Sequence, residues 1–255
     1  IVLLVLTMAI QRQWLPRWTR WVLHVALCLT AVIAALGYFE FGSLRYGKYM
    51  NPHDVFHYYI GAKYSLEHEY TGLYRAALIA DSETGGKYRN STIRNLDNHA
   101  MEKVSDVLAR RDEIKARFTP ARWEAFKRDV VYFRNAMPNS KWSGHTLRDK
   151  GYNAAPVWNA LARHIANTCP TDSVWAMRAL TYIDLVFLAA MFGLIWAAFG
   201  WQVMLFALIF HATNYYMSFV HIKGGFMRLD WVAMLVGSVC LLRLGWYKTA
   251  AACLA

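Results

Sequence analysis

Apolar runs separated by one long polar interval set the plan of the 255-residue chain. Trp21 to Phe39 carries no charged residue and has roughly the 20 residues that cross a ~30 Å hydrocarbon core as a helix. Apolar runs return at 175–199, 201–220 and 229–244, and another opens at 248. Ile1 to Ile10 is apolar but too short to span, and basic residues follow it rather than precede it. That is the wrong order for a signal peptide. Residues 1–20 therefore read as a truncated or interfacial helix and its cytoplasmic flank, with Trp14, Trp18 and Trp21 at head-group depth. The first residue is Ile, and Thr249 to Ala255 resembles the opening of a further helix, so the chain is expected to be a piece of a longer protein.

The expected fold class is all-α, a polytopic membrane helix bundle. A large helical extracytoplasmic domain, 40–174, follows the first full span at 21–39, and further spans fill 175–255. Lys and Arg gather on cytoplasmic flanks, so Arg12, Arg17 and Arg20 put the start of the first span inside. The polar interval is then outside, and alternation of the later spans brings Arg243 and Lys248 inside. The loop from His221 to Asp230 is expected outside, yet it carries Lys223 and Arg228.

Within the polar interval the periodicity is helical rather than stranded. Trp123, Phe126, Val130 and Phe133 recur at the spacing of one helix face, with Thr119 as N-cap and Pro120 in the first turn. Ser82 to about Asn90 reads as an exposed turn.

Composition sharpens the class. Hydrophobic residues make up 56% of the chain, with 11 Trp, 15 Tyr and 13 Phe, and mean hydropathy is +0.18. A soluble domain of this size seldom holds so much apolar and aromatic surface. The net charge of +11 is spread rather than concentrated: 15 of the 17 acidic residues lie between Glu40 and Asp172 beside 20 basic ones. No basic stripe or motif points to nucleic acid, and a mildly basic surface suits anionic head groups. Three of the four cysteines sit in apolar runs, and Cys169 alone lies in polar sequence, so no disulfide framework or CxxC pair appears.

Candidate chemistry gathers just beyond the first span, in Asn51-Pro-His-Asp-Val-Phe-His-Tyr-Tyr59. Asp54 could accept a proton from a hydroxyl during group transfer; the plain alternative is a helix cap or surface residue. His53, Asp54 and His57 could meet on one helical turn, but so loose a set assigns no metal. Lys223 and Arg228 could hold a phosphate or reach lipid head groups, and Gly224-Gly225 would admit a ligand close to the backbone. Asp184, inside the second span, is read as structural, paired with another helix or with Arg178. His24 and His211 read as satisfied core histidines. Arg89, Arg94 and Asp97 read as a solvated face.

Three pieces together resemble a known family. Asp54-Val-Phe-His-Tyr-Tyr-Ile-Gly-Ala-Lys63, continuing to Tyr70-Thr-Gly-Leu-Tyr74, is similar to the entry of the first outer loop in the GT-C superfamily of integral-membrane glycosyltransferases. Gly151-Tyr-Asn-Ala-Ala-Pro-Val-Trp158 resembles the Tyr-x-x-x-Pro element before a later span, and Gly224-Gly-Phe-Met-Arg-Leu-Asp-Trp231 resembles an Arg-bearing outer loop. The resemblance runs from Trp21 onward and corresponds to the N-terminal part of such enzymes, which have more spans.

The resemblance implies transfer of a sugar from a polyprenyl-phosphate donor to an extracytoplasmic acceptor, with inversion and with Asp54 as general base. Lys223 and Arg228 would contact the donor phosphate. His57, Tyr58 and Tyr59 would wall the acceptor site, with Tyr152 and Asn153 approaching from the far end of the outer domain. No cofactor is expected beyond the lipid-linked substrate. Partners expected are membrane lipid, the polyprenyl-phosphate sugar and other membrane subunits, with no nucleic acid. The expected location is a bacterial inner membrane. The rival reading is a non-enzymatic accessory subunit whose outer domain binds a partner.

Overall fold

The computed structural model describes residues 16–44, 49–214 and 222–254. The chain is predominantly helical and divides into two compact units, Ile1–Met50 with Thr181–Ala255, and Asn51–Leu180.

The first unit is built on α1 (Arg17–Tyr38). Its Ala, Leu and Val run meets no helix breaker before Gly37, and it ends where Glu40 and Phe41 take positive φ (54° and 53°). Ala31 and Ala34 are buried and let neighbours approach closely. Two helices are long and apolar enough to cross a membrane, α1 and the 26-residue Val174–Phe199 (α10 in chain order), and only 22% of each apolar window is buried within the chain. Trp18, Trp21, Val32 and Ile33 of α1, and Trp175, Val186 and Trp196 of α10, are exposed. Faces this apolar need a cover that water does not supply.

The other expected spans are shorter in the structure. The run at 201–220 is helical over Trp201–Thr213 (α11), and 215–220 lie outside the described residues. The run at 229–244 forms Asp230–Arg243 (α12), 14 residues, or about 21 Å at 1.5 Å per residue, short of a ~30 Å core. The helix expected to open at 248 is the short Tyr247–Ala252 (α13). Arg12, Trp14 and His221 lie outside the described residues.

The second unit is where most of the candidate residues lie. Pro52–Val55 begins a helix that widens into a π turn at Phe56–Ile60 and closes as Gly61–Lys63; together these are α2. Ser65–His68 (α3) and Leu73–Glu83 (α4) follow. An antiparallel hairpin comes next, β1 (Thr92–Arg94) with β2 (Met101–Lys103), pairing Ile93 with Glu102. This strand pair departs from the helical expectation. The β-branched Thr92 and Ile93 favour it, and Asn95 and Asn98 close the turn by accepting the Asp97 and Ala100 N–H groups. Val104–Ala109 (α5) and Arg111–Lys115 (α6) lead to Pro120–Ala136 (α7). Asn139–Lys141, running into a second π turn at Trp142–Thr146, is α8, and Pro156–Thr168 is α9.

The amphipathic pattern of α7 holds as the sequence suggests. Thr119 accepts the Arg122 N–H, and Trp123, Phe126, Val130 and Phe133 are buried together. The expected turn at 82–90 is only partly exposed: Ser82 and Glu83 finish α4, Gly85 and Gly86 turn with positive φ, and Tyr88 is buried.

Two buried carboxylates tie the helices. Asp129 of α7 receives Lys63 Nζ (2.8 Å), Tyr64 Oη (2.8 Å) and Thr171 Oγ1 (2.6 Å). Asp81 of α4 receives the Tyr88 N–H (2.9 Å), Arg134 Nη1 (3.1 Å) and Trp142 Nε1 (3.2 Å). Removing one partner from such a pair leaves the other charge buried and unmatched. Asp129→Ala is expected to destabilise the second unit by about 3–5 kcal/mol, against about 1 kcal/mol for the cap variant Thr119→Ala. Chemical denaturation in detergent, followed by tryptophan fluorescence, checks the ranking.

Candidate functional site

α2 follows an N-cap, Asn51, whose Oδ1 accepts the Asp54 N–H at 3.4 Å, and Pro52 fixes φ in the first turn. Asp54 is therefore a buried carboxylate (8% exposed) in the first turn of α2, not a surface residue. The π turn that follows moves the residues after Val55 around the helix relative to a regular α spacing. Such turns recur at functional sites.

Two side-chain groups gather around α2. The first is a centre of His53, His57, Asp149, Tyr74 and Thr146. His57 Nδ1 lies 2.7 Å from the His53 carbonyl, which can only accept, so Nδ1 carries the hydrogen. Its other nitrogen, Nε2, lies 2.7 Å from Tyr74 Oη, 3.2 Å from the Thr146 carbonyl and 3.3 Å from Asp149 Oδ1. Tyr74 Oη donates to Asp149 Oδ1, as does the Gly151 N–H at 2.8 Å. His53 Nε2 lies 3.2 Å from Asp149 Oδ2, and its Nδ1 lies 3.2 Å from Thr146 Oγ1.

A neutral His57 would aim its Nε2 lone pair at a carboxylate and a carbonyl, a repulsive arrangement that a proton relieves. Burial opposes that proton, but the Asp149 charge, its hydrogen bond and a smaller contribution from Asp54 raise the His57 pKa above 6.5. Burial dominates at His53 and lowers its pKa, with Asp149 offsetting part of the effect. Burial likewise opposes the charge on Asp149, and the two histidines more than compensate, holding its carboxyl well below the ordinary range.

The second group is aromatic. Tyr58 Oη donates to Asn153 Oδ1 (2.5 Å), and its ring meets those of Tyr152 (5.6 Å) and Trp158 (5.3 Å) edge-on. Tyr70 stacks on Tyr152 at 5.5 Å. Gly61 makes room for this: a Cβ there would sit 2.7 Å from the Tyr152 ring.

The expected acceptor wall is thus divided. Tyr58, Tyr152 and Asn153 come together, and His57 belongs to the carboxylate centre. Tyr59 is turned into the core, donating to the Cys169 carbonyl (2.6 Å), receiving Lys63 Nζ (2.6 Å) and packing on Phe133. Asp149, Tyr74 and Thr146 were not expected as site residues. Tyr74 and Asp149 stand 75 positions apart, so no local spacing signals their meeting. Of the expected solvated face, Asp97 pairs with Arg75 and Arg94 donates to the His99 carbonyl.

Lys223 and Arg228 lie in the other unit and have internal work there. Lys223 is buried, with Nζ 2.8 Å from the Tyr38 carbonyl and over the Tyr38 ring. The Arg228 and Leu229 N–H groups donate to the Asp184 carboxylate at 2.9–3.0 Å. Asp184 therefore holds a loop backbone. Gly224 (φ 68°) packs against the chain itself: a Cβ there would lie 2.7 Å from the Tyr49 carbonyl oxygen. His24 and His211 pack on aromatic rings, His24 on Trp201 and His211 on Tyr38 and Phe192, but their buried Nε2 atoms have no hydrogen-bond partner among the described residues.

The chain matches no protein-family model, no curated protein and no solved structure.

Replacing Asp149 by Asn removes the charge that both histidines face. The expected loss is about 2 kcal/mol, discounted for the partial exposure of Asp149, and thermal unfolding of the two proteins measures it. Gly61→Ala should displace the Tyr152 ring while leaving the His53–Asp149 contact in place, read as a change in near-ultraviolet circular dichroism with little change in the far ultraviolet.

Proposed function

We propose that the chain is part of a polytopic membrane glycosyltransferase of the GT-C kind, moving a sugar from a polyprenyl-phosphate donor to an acceptor outside the cytoplasm. Asp54 acts as general base, taking the proton from the acceptor hydroxyl as that oxygen attacks the anomeric carbon and the lipid phosphate leaves with the bonding electrons. The observation that carries this reading is the state of Asp54: a buried carboxylate in the first turn of α2. A base held out of bulk water suits proton transfer from an acceptor hydroxyl.

The aromatic group supports the same reading. Tyr58, Tyr70, Tyr152 and Trp158 offer ring faces and edges of the kind that pack against the C–H faces of sugars. Lys223, which also donates to the Tyr38 carbonyl, and Arg228 are the residues assigned to the donor phosphate. Tyr59 supports α2 from the core. Arg12, Arg17 and Arg20 favour a cytoplasmic start for α1, and the Asn51–Leu180 unit is then extracytoplasmic at a bacterial inner membrane. Membrane lipid and further membrane subunits are the partners of this arrangement, and the transfer step needs no resident cofactor.

Asp54→Asn in membranes should lower formation of glycosylated product by about 10²–10⁴-fold, with protein abundance unchanged by immunoblot. The readout is release of polyprenyl phosphate from radiolabelled lipid-linked sugars. Unchanged release in the variant overturns the assignment and leaves the accessory-subunit reading.

A further inference from the structure

We propose that His53, His57 and Asp149 form a binding site for one divalent transition-metal ion of the zinc type, with an open coordination position. The site stands apart from the sugar-transfer reading and does not depend on it.

The donor set is the first argument. Two imidazole nitrogens and one carboxylate oxygen are the ligands that zinc takes with three protein groups and a fourth, exchangeable position. One ligand atom from each of the three residues lies within 4.8 Å of the others. Metal–ligand bonds of about 2.0–2.2 Å put neighbouring tetrahedral ligands about 3.3–3.5 Å apart. The observed separations are 3.2 Å from His53 Nε2 to Asp149 Oδ2 and 3.3 Å from His57 Nε2 to Asp149 Oδ1. The His53–Asp149 edge is already at ligand spacing, and His57 faces the other oxygen of the same carboxylate.

The orientation of the rings is the second. A metal-bound histidine is usually fixed by a hydrogen bond from its other nitrogen. His57 Nδ1–H donates to the His53 carbonyl, so Nε2 is the nitrogen that faces the centre, and a metal ion would take the place of its proton. Thr146 Oγ1 lies 3.1 Å from the Lys141 carbonyl and donates to it, so it can accept from His53 Nδ1 and leave that ring's Nε2 lone pair directed inward as well. Asp149 is held in the same way, with Oδ1 accepting from Tyr74 and the Gly151 N–H. That leaves Oδ2, beside His53, as the ligand oxygen. Asp54, which shares the helical turn, is not part of this atom cluster.

Access completes the case. The His57 side chain is 4% exposed, but those of His53 and Asp149 are 16% and 36% exposed, so an ion can enter from one side and keep a water on that side. A proton shared between His57 and Asp149 is the competing occupant, and metal titration separates the two.

The experiment uses the full chain without a polyhistidine tag, purified in detergent, stripped with chelator and titrated with Co²⁺ and Zn²⁺. Expected are one ion per chain, visible absorption bands of four-coordinate Co²⁺ that Zn²⁺ abolishes, and a Zn²⁺-dependent rise in Tm. His53→Gln and Thr146→Val should each weaken binding tenfold or more, the first by removing a ligand and the second by freeing its ring. The Co²⁺ spectrum of the unaltered chain reads the site even where a variant folds poorly. Absence of those bands, or equal binding by His53→Gln, overturns the proposal and leaves the proton as occupant.

Discussion

The Lys63–Asp129 pair is the interaction on which the candidate site depends. Lys63 ends α2, Asp129 lies in the middle of α7, and the two meet at 2.8 Å with both side chains largely excluded from water. An ion pair in that setting persists only if the remaining donors and acceptors are matched. Here they are: Tyr64 and Thr171 donate to the carboxylate, and the lysine also donates to Tyr59. The pair fixes the C-terminal end of α2 as Asn51 fixes its start. Asp54, His57 and Tyr58 are carried between two anchored points, on a helix whose π turn rotates the later residues away from a regular α register.

That anchoring allows α2 to serve two neighbourhoods at once. One side meets a hydrogen-bonded, charged centre supplied by Asp149, Tyr74 and Thr146; another meets aromatic rings from Tyr152, Tyr70 and Trp158. Gly61 makes the second contact possible, since any side chain there would enter the Tyr152 ring. In the other unit, buried polar groups serve the backbone instead. Asp184 gathers the Arg228 and Leu229 N–H groups, and Lys223 closes on the Tyr38 carbonyl. Charged groups among apolar helices are held by hydrogen bonds at both positions, as their solvation demands.

Much of the architecture was legible because it is local. The period of Trp123, Phe126, Val130 and Phe133, with Thr119 before it, foretold α7 and its buried face, since helix periodicity and capping act over a few residues. The long apolar runs foretold α1 and α10. The run at 229–244 was less informative, because composition does not state where a helix ends, and α12 keeps 14 of its residues. The hairpin at Thr92 to Lys103 was also missed, being two three-residue strands in a segment whose average character is helical.

What the sequence determined by itself is the helical character of the chain, the apolar runs that become α1 and α10, and the segment that carries Asp54, His57 and Tyr58. Tertiary structure decided their partners. Asp149 reaches the two histidines, Asn153 reaches Tyr58, and Tyr59 turns away to Lys63 and Cys169. Periodicity reports which face of a helix is apolar, but a carboxylate's partner is chosen by which distant segments pack together. The buried pairs at Asp81 and Asp129 join such segments, and leaving either charge unmatched would be costly.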